Sequence, residues 1–149
     1  MTRAFTGIIC LTLFWIAEAG GQVIRGDPHA LQGRWKVVSI VRGGEPSKVA
    51  RELVWTFTKE ELIYPSGEKV QVKLNADRNP KEIYVKDSRE GFEDLWGIYS
   101  LVGNKLTICV AVTSKARPSE LTSKKGSGRS LVVLERVEAG KAEGKPERP

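Results

Sequence analysis

The chain has 149 residues, of which 40% are hydrophobic and 28% are charged, with 15 glycines and a net charge of +6 at pH 7. This composition is typical of one globular domain with a sizeable core, and it excludes a disordered chain. The chain holds one histidine and two cysteines, which argues against a zinc site because zinc takes three or four ligands.

The N-terminal segment has the features of a secretory signal peptide. Arg3 supplies a positive charge, residues 8–17 form an uncharged apolar run, and Ala17 and Ala19 form a small-x-small cleavage site. The run is shorter than the roughly 20 residues that cross a bilayer. We therefore predict a signal peptide over residues 1–19, no stable membrane anchor, and a mature protein in the periplasm or cell envelope or outside the cell.

Three further regions follow the signal peptide. Residues 20–26 form a short leader, and residues 27–137 form the folded domain. Asp27–Pro28 predicts a helix start, because aspartate can cap a helix and proline suits its first position; Gly33 ends this helix after about one turn. Residues 138–149 are a tail of low complexity that we predict to be disordered.

Eight short strands, separated by polar turns, account for the rest of the domain. They are predicted at residues 34–41, 53–58, 61–64, 68–74, 82–86, 94–101, 106–112 and 131–137. Strands joined mostly by short turns are typical of an all-β, up-and-down antiparallel barrel. A two-sheet sandwich is the main alternative. The barrel is favoured because closure removes exposed strand edges.

Several blocks of the domain carry a family resemblance. Gly33–Arg34–Trp35, after a short helix, is similar to the G-x-W motif that opens the first strand of lipocalins. Together with the blocks at 31–39, 97–99, 106–109, 117–118 and 126–136, it resembles a family of small exported planctomycete proteins with a lipocalin-like domain of unknown function. The resemblance implies an eight-stranded lipocalin-like barrel with a short N-terminal capping helix.

One contact is predicted to close the barrel. In an eight-strand meander the first strand starts at the end where the eighth strand finishes, so Trp35 and Arg136 lie at the same end on neighbouring strands. We predict that the Arg136 guanidinium packs on the Trp35 ring and donates hydrogen bonds to carbonyls of the preceding helix. The resemblance to lipocalins implies the same contact. Gly33, Trp35 and Arg136 are the predicted closure residues.

The sequence offers little for catalysis. His29 is the single histidine, and a triad needs a histidine held between a carboxylate and a nucleophile. Cys109, in an apolar strand, is predicted to be a small buried hydrophobe. The carboxylate pairs Glu60–Glu61 and Glu93–Asp94 flank turns, where they are expected to be solvated. We therefore predict no catalytic residue, no metal, no cofactor and no enzyme; hydrolysis at the barrel mouth is a weaker alternative.

The longer connections indicate where a ligand would enter. Those at residues 42–52, 87–93 and 113–128 meet at one rim, opposite Trp35. We predict that this rim is the entrance, with Trp55 and Tyr99 as apolar wall and Arg117 as an anion contact. The basic loop 113–128 lacks interleaved aromatic residues, so no nucleic-acid partner is expected.

Two functional hypotheses follow from this architecture. An eight-stranded barrel leaves space for side chains or for one small ligand, and the aromatic residues of the strands could line that space or fill it. The first hypothesis is an exported, non-enzymatic barrel that binds a small apolar or amphipathic molecule. The alternative is a solid barrel whose loops bind a protein or a polyanionic polymer. The sequence identifies no partner protein.

The signal-peptide hypothesis makes a direct prediction. We expect cleavage after Ala19, because the small residues at Ala17 and Ala19 follow the apolar run. N-terminal sequencing of the protein from its own host should then begin at Gly20. A mature protein that still begins at Met1 would contradict the prediction.

Overall fold

A computed structural model describes residues 27–48, 53–88, 90–112 and 116–138. The predicted signal peptide and leader, and the predicted tail from residue 139 onward, lie outside the described residues. The described part holds one short helix and nine strands: α1 (Asp27–Leu31), β1 (Gly33–Arg42), β2 (Glu45–Pro46), β3 (Val54–Phe57), β4 (Glu61–Ile63), β5 (Lys69–Asn75), β6 (Lys81–Lys86), β7 (Leu95–Val102), β8 (Lys105–Ala111) and β9 (Arg129–Arg136).

The strands form a closed antiparallel barrel. From β3 to β9 each strand pairs with the next one along the chain, and β1 pairs with both β3 and β9. This closure joins eight strands, which match the eight predicted from the sequence. The prediction of an all-β, up-and-down barrel is confirmed, and the sandwich alternative is wrong.

The ninth strand, β2, is an addition that the sequence analysis interpreted only as a break. Gly43 and Gly44 have φ values of 55° and 86°, and two positive φ angles are what a two-residue hairpin turn requires. The chain therefore reverses and pairs Glu45 with Arg42 at the edge of β1. Pro46, which has no backbone N–H, is tolerated because it lies on an edge strand.

A β-bulge in β1 changes which of its residues face the interior. The pairing with β9 shifts between Val37 and Ser39, and the intervening Val38 is 46% exposed. Trp35 and Val37 are buried before the bulge, and Ile40 is buried after it. Because a bulge inserts one residue into the alternation of a strand, odd-numbered residues face inward before it and even-numbered residues after it.

The core lies in the interior of the barrel. The predicted alternation of β3 and β5 is confirmed, since Phe57, Val70 and Val72 are buried in the core and Leu53, Trp55 and Leu74 pack against it. Further strands contribute one face each. The remaining buried members are Leu31, Trp35, Val37, Ile40, Leu62, Ile83, Val85, Tyr99, Leu106, Ile108, Val110, Val132 and Leu134.

The predicted contact between the first and last strands is present. Trp35 and Arg136 are direct partners across β1 and β9, and the Arg136 Cζ lies 4.2 Å from the centroid of the Trp35 ring. Arg136 Nη1 donates to the Gln32 carbonyl at 2.9 Å, and Nη2 donates to the Ala30 carbonyl. The guanidinium therefore joins both ends of the sheet to the segment that precedes β1.

Trp35 and Gly33 complete this end of the barrel. Trp35 is fully buried, and its indole Nε1 donates to the Leu31 carbonyl at 2.7 Å. Gly33 has a φ of 121°, and a Cβ there would lie 3.2 Å from Arg136 Nη1. A side chain at residue 33 would thus need both an unfavourable backbone conformation and a displaced guanidinium.

Arg136→Ala should destabilise the fold strongly. It removes a cation–π contact and leaves carbonyls unpaired, so we expect a loss of about 2–3 kcal/mol and a melting temperature lower by roughly 5–10 °C. Arg129→Ala is the matched control, because Arg129 makes a 3.7 Å, part-exposed ion pair with Glu120, a type of pair that contributes little. Thermal unfolding by circular dichroism measures both. Equal losses would contradict the importance of the Trp35 contact.

Candidate functional site

A cavity of about 460 Å³ lies inside the barrel at the end away from Trp35 and Arg136. Its walls come from the C-terminal end of β1, from β3, from the turn between β4 and β5, from the starts of β7 and β9, and from the end of β8. The lining residues are Ile40, Arg42, Trp55, Tyr64, Glu68, Leu95, Val110, Val112, Ser130 and Val132. Each of them is a core member, packs against the core, or lies two residues from such a residue on the same strand face. The cavity is therefore the unfilled mouth of the barrel interior.

The wall of this mouth cavity is largely apolar with a few polar groups. Trp55 and Tyr64 meet edge to face, with ring centroids 5.4 Å apart and an interplanar angle of 90°. Aliphatic side chains from β1, β7, β8 and β9 cover most of the remainder. Arg42, Glu68 and Ser130 supply the polar groups. An apolar pocket with a few convergent polar groups is the usual form of a small-molecule site.

One side of the rim is braced by hydrogen bonds between two loops. Gly43 N donates to the Arg129 carbonyl at 3.0 Å, and Gly44 N donates to Ser123 Oγ at 3.3 Å. Ser123 Oγ in turn donates to the same Arg129 carbonyl at 2.8 Å. A Cβ at Gly44 would lie 2.6 Å from Lys125 N, so the close approach of the two loops requires glycine. The β1–β2 turn is thereby fixed beside the mouth.

Of the three residues predicted to bind a ligand, Trp55 lies where the sequence analysis expected it. Its indole forms part of the cavity wall on β3. The prediction that Trp55 contacts a ligand stays a prediction.

Tyr99 does not lie beside Trp55, so the expectation that it lines the entrance is wrong. It is 2% exposed and pairs with Lys81, toward the end of β7 that approaches α1. Its hydroxyl donates to Asp27 Oδ2 at 2.9 Å, and Lys81 Nζ lies 2.5 Å from the same oxygen. The reason is distance along the strand: β7 starts at the mouth with Leu95 and reaches Tyr99 near its far end.

Arg117 also lies away from the mouth, and the expectation that it contacts a ligand there is wrong. Its Nε donates to the Gly97 carbonyl at 3.0 Å, and its Nη1 lies 3.4 Å from Glu82 Oε2. Its Cζ lies 5.2 Å from the centroid of the Trp96 ring. Glu82 and Trp96 alternate with the inward-facing residues of their strands, so Arg117 is held against the outer wall.

The loop around Arg117 covers this outer wall because it has apolar surface to bury there. Ile98 and Cys109 are 1% and 0% exposed, although neither belongs to the core inside the barrel. The Cys109 thiol donates to the Thr122 carbonyl at 3.4 Å. Burial raises the pKa of this thiol, which disfavours the reactive thiolate. The prediction that Cys109 is a small buried hydrophobe is therefore confirmed.

The described residues provide little else for chemistry. Within residues 27–48, 53–88, 90–112 and 116–138, no three histidine, cysteine or acidic side chains cluster as metal ligands would. His29 is exposed on α1, and Glu60 is exposed at the turn between β3 and β4. No helix in the described part of the chain is both long and apolar enough to pass through a membrane.

The three polar residues of the cavity wall were not singled out from the sequence. Glu68 could have been found, because it lies two residues before Val70 and shares its face. Arg42 could not be placed from the sequence, because the bulge at Val38 reverses the alternation of β1. The inward orientation of Ser130 could not be predicted, because β9 has apolar residues on both faces.

Comparison of the chain with protein-family models, with curated proteins and with solved structures finds no match.

The cluster of Tyr99 with Asp27 predicts a stability change at high pH. Burial, and then the hydrogen bond to Asp27, raise the pKa of Tyr99 above its usual 10.0. The unfolded chain loses this proton first, so stability falls as the pH rises above about 10, by at most about 1.4 kcal/mol per pH unit. Tyr99→Phe should lose melting temperature less steeply than the wild type between about pH 10 and 12. Parallel slopes would contradict the assignment.

Proposed function

We propose that this protein binds one small apolar or amphipathic molecule in the mouth cavity and does not catalyse a reaction on it. The observation that carries the proposal is the unfilled volume of about 460 Å³, walled by the Trp55–Tyr64 pair and aliphatic side chains. Small-molecule sites are commonly 300–1,000 Å³ and mostly apolar. An eight-stranded barrel has the size to hold one such ligand.

The packing at the other end of the barrel supports a binding cavity with a single opening. Trp35 and Leu134 are fully buried there, and Arg136 joins them to the segment after α1. We take α1 and this contact as the cap of a lipocalin-like barrel, so that a ligand would enter through the mouth alone. A signal peptide would deliver the protein to the periplasm, the cell envelope or the exterior, where it would meet its ligand.

The alternative, a solid barrel that binds a polymer or protein through its loops, has less support. A cavity at the mouth is the opposite of a filled barrel. The basic loop after β8 also has part of its charge neutralised, because Glu120 lies 3.6 Å from Lys124 and 3.7 Å from Arg129. Arg117 is occupied by Glu82 and Trp96. These contacts leave less free positive charge for a polyanion.

Filling the cavity should abolish binding. Val132 lines the cavity and is 5% exposed, so Val132→Phe would occupy part of the ligand's volume. We expect at least a tenfold loss of affinity for the uncharged dye N-phenylnaphthylamine, which is a modest estimate for the removal of apolar contact area. Titration by dye fluorescence measures this loss. Native mass spectrometry of the wild type from its host should show a retained small molecule.

Val133→Phe is the matched control. Val133 is the next residue on β9 and points to the outside of the barrel, so dye binding should be unchanged. Melting temperatures of both variants establish that they fold. If the folded Val132→Phe protein binds the dye as the wild type does, the cavity is not the binding site and the proposal is wrong.

A further inference from the structure

We propose that the ligand is an amphipathic organic anion whose single carboxylate is held by Arg42 and Ser130. This inference rests on the proposed function and adds the chemistry of the ligand's headgroup. The two residues bring a cation and a hydroxyl donor to one wall of an otherwise largely apolar cavity.

Arg42 and Ser130 lie side by side. They are direct partners across β1 and β9, and side chains that face each other across an antiparallel pair have Cβ atoms about 4.5–5.5 Å apart. Both line the mouth cavity. The guanidinium and the hydroxyl can therefore donate to the same small anion.

Within the described residues, the Arg42 guanidinium has no competing partner. Arg117 pairs with Glu82, Arg129 pairs with Glu120, and Arg136 donates to backbone carbonyls. Arg42 makes no ion pair and no side-chain hydrogen bond in the described part of the chain. Its donors thus remain available to an acceptor that enters the cavity.

The Ser130 hydroxyl points to the same conclusion independently. Ser130 is 6% exposed, and among the described residues it is the one buried residue with a polar side chain. No hydrogen bond to its hydroxyl is formed within that part of the chain. Among the described residues, Thr122 Oγ1 is the one fully buried side-chain oxygen or nitrogen without a partner. The Ser130 oxygen is therefore reachable from the cavity that it lines, and its hydroxyl can donate to a carboxylate oxygen there.

Glu68 sets the orientation and the charge of the ligand. It lies just before β5, which is separated from β1 by β3 and β4, so it lines a different part of the wall from Arg42. Its carboxylate accepts a hydrogen bond from Ser66 Oγ at 2.9 Å. A second anionic group near Glu68 would be repelled. The ligand should therefore carry one negative charge, directed toward β1 and β9.

The apolar body of the ligand would occupy the rest of the mouth cavity. The cavity also has apolar wall residues next to Arg42 and Ser130, namely Trp55, Leu95, Val110 and Val132. A charge-assisted hydrogen bond strengthens when water is excluded from it. The body of the ligand would exclude that water, so headgroup and body would contribute together.

Three probes with the same chain and different headgroups test the inference. They are decanoate, decanol and decyltrimethylammonium, each used below its micelle concentration and titrated by calorimetry against the full mature chain. We expect decanoate to bind at least tenfold more tightly than decanol, because a hydrogen bond to a charged group contributes about 1.5–3 kcal/mol. The cationic probe should bind most weakly.

Substitutions should remove this preference and leave binding of the apolar body intact. Arg42→Gln should weaken decanoate at least tenfold and leave decanol unchanged. Ser130→Ala should weaken decanoate several-fold, and Arg42→Lys should give an intermediate loss because it keeps the charge without the planar fork. Arg34→Gln is the control, since Arg34 is exposed on the outer face of β1 and its loss should change nothing.

The failures of the two proposals can be distinguished. If none of the three probes binds, the proposed function fails and this inference fails with it. If all three bind equally and Val132→Phe abolishes binding, the proposed function stands and the anionic headgroup is wrong. Loss of decanol binding in a folded Arg42→Gln protein would also overturn the headgroup role, because it would show a general effect on the cavity.

Discussion

The contact between Trp35 and Arg136 determines the arrangement of the whole barrel. It is the point where the first strand, the last strand and the segment after α1 meet. A cation that is bonded to two carbonyls and stacked on a buried indole packs this end of the barrel. Any unfilled volume in an eight-stranded barrel with one end packed in this way must lie at the other end. The mouth cavity is therefore a consequence of how the barrel closes.

The bulge at Val38 gives this cavity its polar character. Without it, Val41 would face inward and Arg42 would face solvent, because side chains alternate strictly along a regular strand. The extra residue reverses the alternation for the second half of β1, so Ile40 and Arg42 face the interior. The bulge therefore allows Trp35 to face inward at one end of β1 and Arg42 to face inward at the other. Bulges commonly re-aim a side chain in this way.

Much of the fold could be predicted because strand alternation and turn residues are local signals. The meander and the pairing of Trp35 with Arg136 followed from strand count alone. Arg42 could not be assigned a face, since a bulge depends on register with β9. The path of the loop that carries Arg117 depended on apolar surface at Ile98 and Cys109, which lies outside the barrel. Tertiary packing determines the path of a long loop, and the number of residues in the loop does not indicate its direction.

The placement of charge explains how the cavity could select a ligand without catalysing a reaction. Arg117 and Arg129 are paired with Glu82 and Glu120, so these two cations contribute little at the mouth. Arg42 is exposed at the rim, so its charge does not carry the energetic cost of burial. A bound anion would replace that water on one side while Glu68 repels a charge placed on the other. Selection would then come from charge placement as much as from cavity shape, because apolar walls alone distinguish poorly between ligands of similar size.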